Sequence, residues 1–187
     1  MNKGKVMLIA AIVIILAVTS AVWIIFYNKI VSMDEQVISS WAQVETVLQQ
    51  RYDLIPNLIG VVQVYATQEK GLFDETARLQ AEWGSSKAMA DKVRSANAIE
   101  SVLARVVVVA DNYAGLKANP NYIALQKALA DSENQIKGER SRFNEAVKGY
   151  NSVIRRFPSN IVAGLHGYGK RDVYFDFNEP AAKEKKL

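Results

Sequence analysis

The stretch VMLIAAIVIILAVTSAVWIIF, residues 6–26, decides the fold. It holds 21 residues without a charge, and its only polar side chains are Thr19 and Ser20. As a helix it extends about 32 Å, enough to cross a hydrocarbon core of about 30 Å. A helix satisfies its own backbone polar groups, so it can sit in lipid. Trp23 and Tyr27 fall at its C-terminal end, where amphipathic rings favour the membrane interface. The competing reading is a cleaved signal peptide, with Lys3 and Lys5 as the basic region and Thr19-Ser20-Ala21 as the cleavage site. Against it, the apolar run continues past that site through Val22, Trp23, Ile24, Ile25 and Phe26. The expected localisation is therefore a single-pass membrane protein. Lys3 and Lys5 on one flank, against Lys29, Asp34 and Glu35 on the other, lean the N-terminus to the cytoplasm and the rest of the chain outside it.

Outward from the anchor the pattern stays helical. Glycine and proline number ten and four, apolar residues recur at spacings of three and four, and no long stretch alternates at period two. The first helix is expected to continue from the anchor along Tyr27, Ile30, Val31, Asp34, Val37, Ile38, Trp41, Val44, Val47, Leu48, Arg51 and Ile55. It should end or kink near Asp53-Leu54-Ile55-Pro56, because proline lacks an N–H and disfavours helical backbone in the residue before it. A second helix is expected over 57–83, striped by Leu58, Val62, Tyr65, Glu69, Leu72, Phe73, Thr76, Leu79 and Trp83, with Gly84-Ser85-Ser86 as the stop. A third, over 87–113, carries Met89, Val93, Ala96, Ile99, Leu103, Val106, Val107 and Ala110. Its four consecutive valines, 106–109, read locally as strand, but the flanks keep helical spacing.

Gly115 and Asn119-Pro120-Asn121 mark the next turn, with Asn119 as N-cap and Pro120 at the first helical position. The fourth helix has a heptad-like seam: Tyr122, Leu125, Leu129, Ser132, Ile136, Glu139, Phe143, Ala146, Tyr150, Val153 and Phe157 alternate by three and four. Phe157-Pro158 ends it. A short turn of helix is expected within 159–169, and the tail mixes charges with Val173, Tyr174, Phe175 and Phe177. The expected fold is all-α: an N-terminal transmembrane helix followed by an elongated up-and-down four-helix bundle.

Composition excludes several functions. Net charge is +4, half of it from Lys3 and Lys5, and no basic face stands out, so nucleic acid is not an expected partner. Zero cysteines exclude disulfides, lipid attachment through Cys and thiolate metal sites. His166 is the only histidine, so neither a zinc site with nitrogen and sulfur ligands nor the paired Glu-x-x-His motifs of a di-iron bundle can be assembled. No Gly-rich phosphate loop or nucleophile elbow is present. No catalytic residue, metal or cofactor is expected.

Charges on apolar stripes are the informative oddity. Asp34, Arg51, Glu69 and Glu139 occupy core positions, and Glu133 lies next to its seam. A buried unpaired charge costs several kcal/mol, so these should pair or reach solvent. A structural pair of Arg51 with Glu69 or Glu133 is expected. Asn144 and Asn151, seven apart on one helix face, could bond loop carbonyls, bridge helices or line a ligand site. For self-association, Trp83, Phe73, the tail aromatics and the membrane stalk are the candidates, since anchors confined to a plane raise local concentration.

Several runs resemble the LemA family of bacterial membrane proteins. They are Tyr27-Asn28, Trp41-Ala42-Gln43-Val44-Glu45, and above all Gln50-Arg51-Tyr52-Asp53-Leu54-Ile55-Pro56-Asn57-Leu58. Glu69, Leu116-Lys117-Ala118-Asn119, Leu125-Gln126, Glu133-Asn134, Arg140, Phe143-Asn144, Tyr150-Asn151 and Phe157-Pro158-Ser159-Asn160 follow in order. Gln50 stands where the family usually has a basic residue, the usual Tyr-Pro pair before Leu116 is absent, and Lys183 to Leu187 replace an apolar ending. The resemblance implies a basic N-terminus (1–5), a transmembrane helix (6–26), a LemA-like helical bundle (27–168) and a tail (169–187). It implies no established enzymatic activity, and a gene setting often beside a membrane zinc metalloprotease. The expected function is a non-enzymatic, membrane-anchored envelope scaffold or adaptor. Its expected partners are the lipid bilayer, further copies of itself and such a protease. The alternative is a ligand-binding or sensor module with a site between helices. The structural or interaction candidates are Arg51, Asp53, Pro56, Asn57, Glu69, Glu133, Asn134, Asn144, Tyr150 and Asn151.

Overall fold

The computed structural model describes residues 3–175. Phe177 and the lysine cluster at 183–187 lie outside them. Among the described residues there are seven helices and no strand: α1 (Lys3–Tyr52), α2 (Ile55–Val62), α3 (Lys70–Ser85), α4 (Met89–Asp111), α5 (Ala114–Lys117), α6 (Pro120–Arg155) and α7 (Ser159–Leu165).

The long helices follow from the sequence. Between Gly4 and Pro56 there is neither glycine nor proline, so nothing interrupts the backbone ladder and α1 runs 50 residues. Pro56 then sits in the first turn of α2, where its missing N–H costs nothing. Asn119 caps α6: its Oδ1 accepts from the backbone N–H of Asn121 (2.9 Å) and of Tyr122 (3.4 Å). The seam of α6 is buried at its seven-residue repeat, Tyr122, Leu129, Ile136, Phe143 and Tyr150. The valine run is helical, with Val106 fully buried and Val108 64% exposed.

Two details differ from the sequence expectation. The second helix is not continuous over 57–83. It breaks between α2 and α3. The buried residues of α2 step by four, Leu58, Val62 and then Ala66 just beyond it, while α3 buries Leu72, Thr76, Leu79 and Trp83. The six-residue step from Ala66 to Leu72 fits no helical repeat, and the chain changes phase there by leaving the helix. Tyr65 is consequently partly exposed, its ring 3.3 Å from where a Cβ on Gly115 would lie. Trp83 is not an outer-face aromatic. It is 3% exposed, its indole N–H donating to Gln49 Oε1 at 3.1 Å and its ring edge-on to Tyr52.

The chain divides into two compact units. Over the described residues one holds 3–40 and 145–172, and the other holds 41–144 and 173–175.

In the second unit, cross-helix pairs give the topology. Gln49 meets Trp83 and the Tyr52 carbonyl meets Gln80, so α3 runs antiparallel to the end of α1. Glu45 pairs with Lys92 and Arg51 with Glu100, so α4 runs parallel to α1. Trp41 meets Phe143 and Arg51 meets Glu133, so α6 is antiparallel again. That is an up-and-down arrangement of four helical legs around a core containing Val44, Leu48, Ile55, Leu58, Ile99, Leu116 and Ile136. In the first unit, α1 carries the apolar stretch, whose Ile14, Ile15, Leu16 and Ile25 are all more than half exposed. Beyond it Ile30 and Val37 are buried, as are Tyr150 and Ile154 of α6 and Val162 and Ala163 of α7.

The valine run offers a direct check. Val106→Ala should destabilise the chain by about 2 kcal/mol through lost burial and a residual cavity, and Val108→Ala by less than about 0.5 kcal/mol. Thermal unfolding of the two variants in detergent reads the difference, and a strand over 106–109 would leave no such contrast.

Candidate functional site

The candidate residues gather in two polar assemblies, one in each unit. The first centres on Arg51, at the end of α1, which is 9% exposed. Its guanidinium reaches Glu100 of α4 at 2.9 Å and Glu133 of α6 at 2.9 Å. Nη1 also donates to the Leu129 carbonyl (2.9 Å) and to Ser132 Oγ (3.3 Å). Ser132 in turn donates to the Leu129 carbonyl at 2.8 Å. The polar break in the α6 seam at Ser132 is thus filled by the arginine. Lys137 lies 3.4 Å from the other oxygen of Glu133.

Of the two partners expected for Arg51, Glu133 is in place. Glu69 instead occupies the N-cap position of α3 without a side-chain capping bond, and the second carboxylate is Glu100. Burial pushes the Glu100 carboxyl above the ordinary carboxylate value, with Arg51 and Arg140 pulling it back. Burial likewise pushes the Tyr52 phenol far above its ordinary value, and Glu100 adds to the rise. The Tyr52 hydroxyl faces the Ala96 carbonyl at 3.4 Å. Two guanidiniums, Arg51 and Arg140, and two carboxylates, Glu100 and Glu133, therefore influence one another, with the Lys137 ammonium at the outer oxygen of Glu133.

Also in this unit, Asn144 of α6 clamps the backbone of Phe175. Its amide donates to the Phe175 carbonyl (2.7 Å), and its oxygen accepts from the Phe175 N–H (2.9 Å). The Phe175 ring stacks on Trp41 (6.1 Å), meets Phe143 edge-on (5.7 Å) and lies under the Arg140 guanidinium (4.8 Å). Asp53 accepts from Gln49 at 2.7 Å on the surface. Pro56, Asn57 and Asn134 are exposed.

The second assembly uses the same device. Asn151 clamps Arg171, donating to its carbonyl (2.7 Å) and accepting from its N–H (2.9 Å). The Tyr150 hydroxyl donates to the Gly169 carbonyl at 3.0 Å. The Arg171 side chain donates to Asp34 Oδ1 from Nη2 (2.7 Å) and Nε (3.2 Å), and lies 5.5 Å over the Tyr150 ring. Asp34, conspicuous on an apolar stripe, is the counter-ion of a guanidinium 137 residues away. Glu139, the other seam charge, pairs with Arg142 on its own helix.

Both asparagines thus present a complete amide to one residue of non-helical backbone. Their seven-residue spacing was visible in the sequence; their partners, in a segment without periodicity, left no signal. Among the described residues no three of His, Cys, Asp and Glu converge as metal ligands. The chemistry in evidence is internal ion pairing and backbone clamping.

Most of the chain that carries these assemblies falls within a known family. A model described as the LemA family fits residues 40–186. This chain belongs to the LemA family. MamQ of Magnetospirillum gryphiswaldense, named a magnetosome protein, is 23% identical over 202 residues, covering 94% of this chain and 74% of its own length. Two magnetosome proteins of Paramagnetospirillum magneticum, MamQ 1 and MamQ 2, are each 23% identical over 175 residues. That match covers 80% of this chain and 64% of theirs. The present chain is thus a helical, membrane-associated LemA-family protein with, among the described residues, one helix long and apolar enough to cross a bilayer.

Arg51→Met should cost about 3 kcal/mol, because it removes the cation that bridges Glu100 and Glu133 and leaves the largely buried Glu100 carboxylate without its ion-pair partner. In a double-mutant cycle with Glu100→Gln, thermal or chemical unfolding should show a coupling of at least about 1 kcal/mol. The pairing of Arg51→Met with Glu69→Leu should be additive.

Proposed function

We propose that this protein is a non-enzymatic, single-pass membrane scaffold or adaptor of the bacterial envelope, oriented with its N-terminus in the cytoplasm. The observation that carries this reading is α1. One unbroken helix supplies both the bilayer-length apolar stretch and part of a buried helical core. A span made of the same helix as the domain suits a protein that holds a surface at a membrane.

The polar assemblies fit the same role. Arg51, Tyr150 and Asn151 are buried and engaged in internal bonds, as expected of groups that fix a fold. The exposed residues Asp53 and Asn57 remain for partner contact. The proposed partners are further copies of the chain and a membrane metalloprotease.

The test is native mass spectrometry of the full chain released from detergent micelles, paired with crosslinking in native membranes. One defined assembly of this chain, or a reproducible crosslink to a membrane protease, is the expected result. A strict monomer that crosslinks to no membrane protein contradicts it.

A further inference from the structure

The corner between α6 and α7 carries a surface that the scaffold reading leaves unexplained. Phe157 is 80% exposed, Leu165 71% and Ile161 49%. Bulky apolar side chains scattered singly on a surface are ordinary. Here three fall within nine residues, directly after Arg155 and Arg156, which are both exposed and carry no ion pair among the described residues. The buried residues of α7 are Ser159, Val162 and Ala163. Ile161 and Leu165, four apart, share the side left over.

The position of α7 says what lies against that side. His166, the residue after α7, has its ring 4.7 Å from Tyr27 and 6.0 Å from Trp23. Tyr168 lies 6.5 Å from Tyr27. Trp23 and Tyr27 are the rings at the end of the apolar stretch, where α1 leaves hydrocarbon for headgroups. At 1.5 Å per residue they are only about 6 Å apart along the helix axis. With residues 6–26 read as the span, the C-terminal end of α7 lies at the depth of the membrane surface. Bulky apolar side chains beside two arginines, at that depth, match the composition of a segment lying in a bilayer interface.

We propose that residues 155–166 form a second membrane contact beside the anchor. Phe157, Ile161 and Leu165 insert at the headgroup–acyl boundary of the leaflet that α1 leaves, and Arg155 and Arg156 meet anionic headgroups. The occupant of this face is lipid, and the face is continuous with the span because His166 packs on the ring pair that ends it. The proposal rests on the reading of residues 6–26 as a membrane span.

Because the chain has no cysteine, single-cysteine variants can each report one depth. Ile14→Cys, Phe157→Cys, Leu165→Cys and Asn134→Cys replace exposed residues, so the fold is not at risk. Each full-length variant is labelled with a nitrobenzoxadiazole dye and reconstituted into phosphatidylcholine vesicles containing phosphatidylglycerol. Quenching is then measured with nitroxides on the fifth or twelfth acyl carbon and with aqueous iodide. The expected result is that positions 157 and 165 are quenched at least twofold more by the shallow nitroxide than by the deep one. Position 14 should show the reverse order, and position 134 should respond to iodide alone. Arg155→Gln with Arg156→Gln should reduce the dependence of shallow quenching on phosphatidylglycerol at least twofold.

If positions 157 and 165 behave like 134 while 14 is quenched from within the bilayer, the second contact is wrong and the span stands. Shielding of 157 and 165 from iodide without nitroxide quenching means that protein, such as a second copy, covers the face, and this also overturns the proposal. If position 14 also behaves like 134, the span itself is wrong and the proposal falls with it.

Discussion

The uninterrupted backbone of α1 is the constraint on which the rest depends. With no glycine or proline between Gly4 and Pro56, there is no cheap place to end a helix that begins in a bilayer-length apolar run. The ladder therefore continues until Pro56 forces a new start. The side chains change while the backbone does not: an apolar surface all round up to Phe26 gives way to a single buried stripe through Ile30, Val37, Trp41, Val44 and Leu48.

Arg51 shows how polar groups act inside this fold. Burying a guanidinium is unfavourable unless its donors and charge are met. Here two carboxylates, a backbone carbonyl and a serine hydroxyl meet its two terminal nitrogens, while the buried Nε has no hydrogen-bond acceptor. Each partner comes from a specific turn of α4 or α6, so sliding either helix by one turn would strand the charge. The clamps at Asn144 and Asn151 act likewise on segments with no helical register of their own. Each fixes one backbone residue by a donor and an acceptor at once. Arg51 and the two asparagines are thus parts of the chain's internal framework.

Most of the helical architecture was legible in the sequence because helices are written in local periodicity. The α6 seam, the Asn119 cap and the stop before Pro158 each need only a few neighbouring residues to be recognised. The break at 63–69 was not legible, since no glycine or proline marks it. Its cause is a mismatch between two burial phases that only tertiary packing exposes. Arg51 was visible as a charge on an apolar stripe, and Glu133 as its partner. Glu100 was missed because it lies just beside the α4 stripe, and only the packed helices show that it faces Arg51. Asp34 and Arg171 are 137 residues apart, and the segment holding Arg171 carries no pattern from which a partner can be read. The role of α7 was hidden for a similar reason. Seven residues are too few to show a helical face, and the exposure of Leu165 and Phe157 gains meaning only from His166 resting on Trp23 and Tyr27.

Helix α1 is read as both anchor and framework, and amide hydrogen exchange of the full chain in lipid nanodiscs tests this most directly. Residues 27–40, between the apolar span and Trp41, should exchange as slowly as residues 41–52, with protection continuous from the bilayer to Tyr52. A fast-exchanging segment anywhere within 27–40 would show a flexible linker there, and would contradict the claim that one helix joins the membrane to the domain.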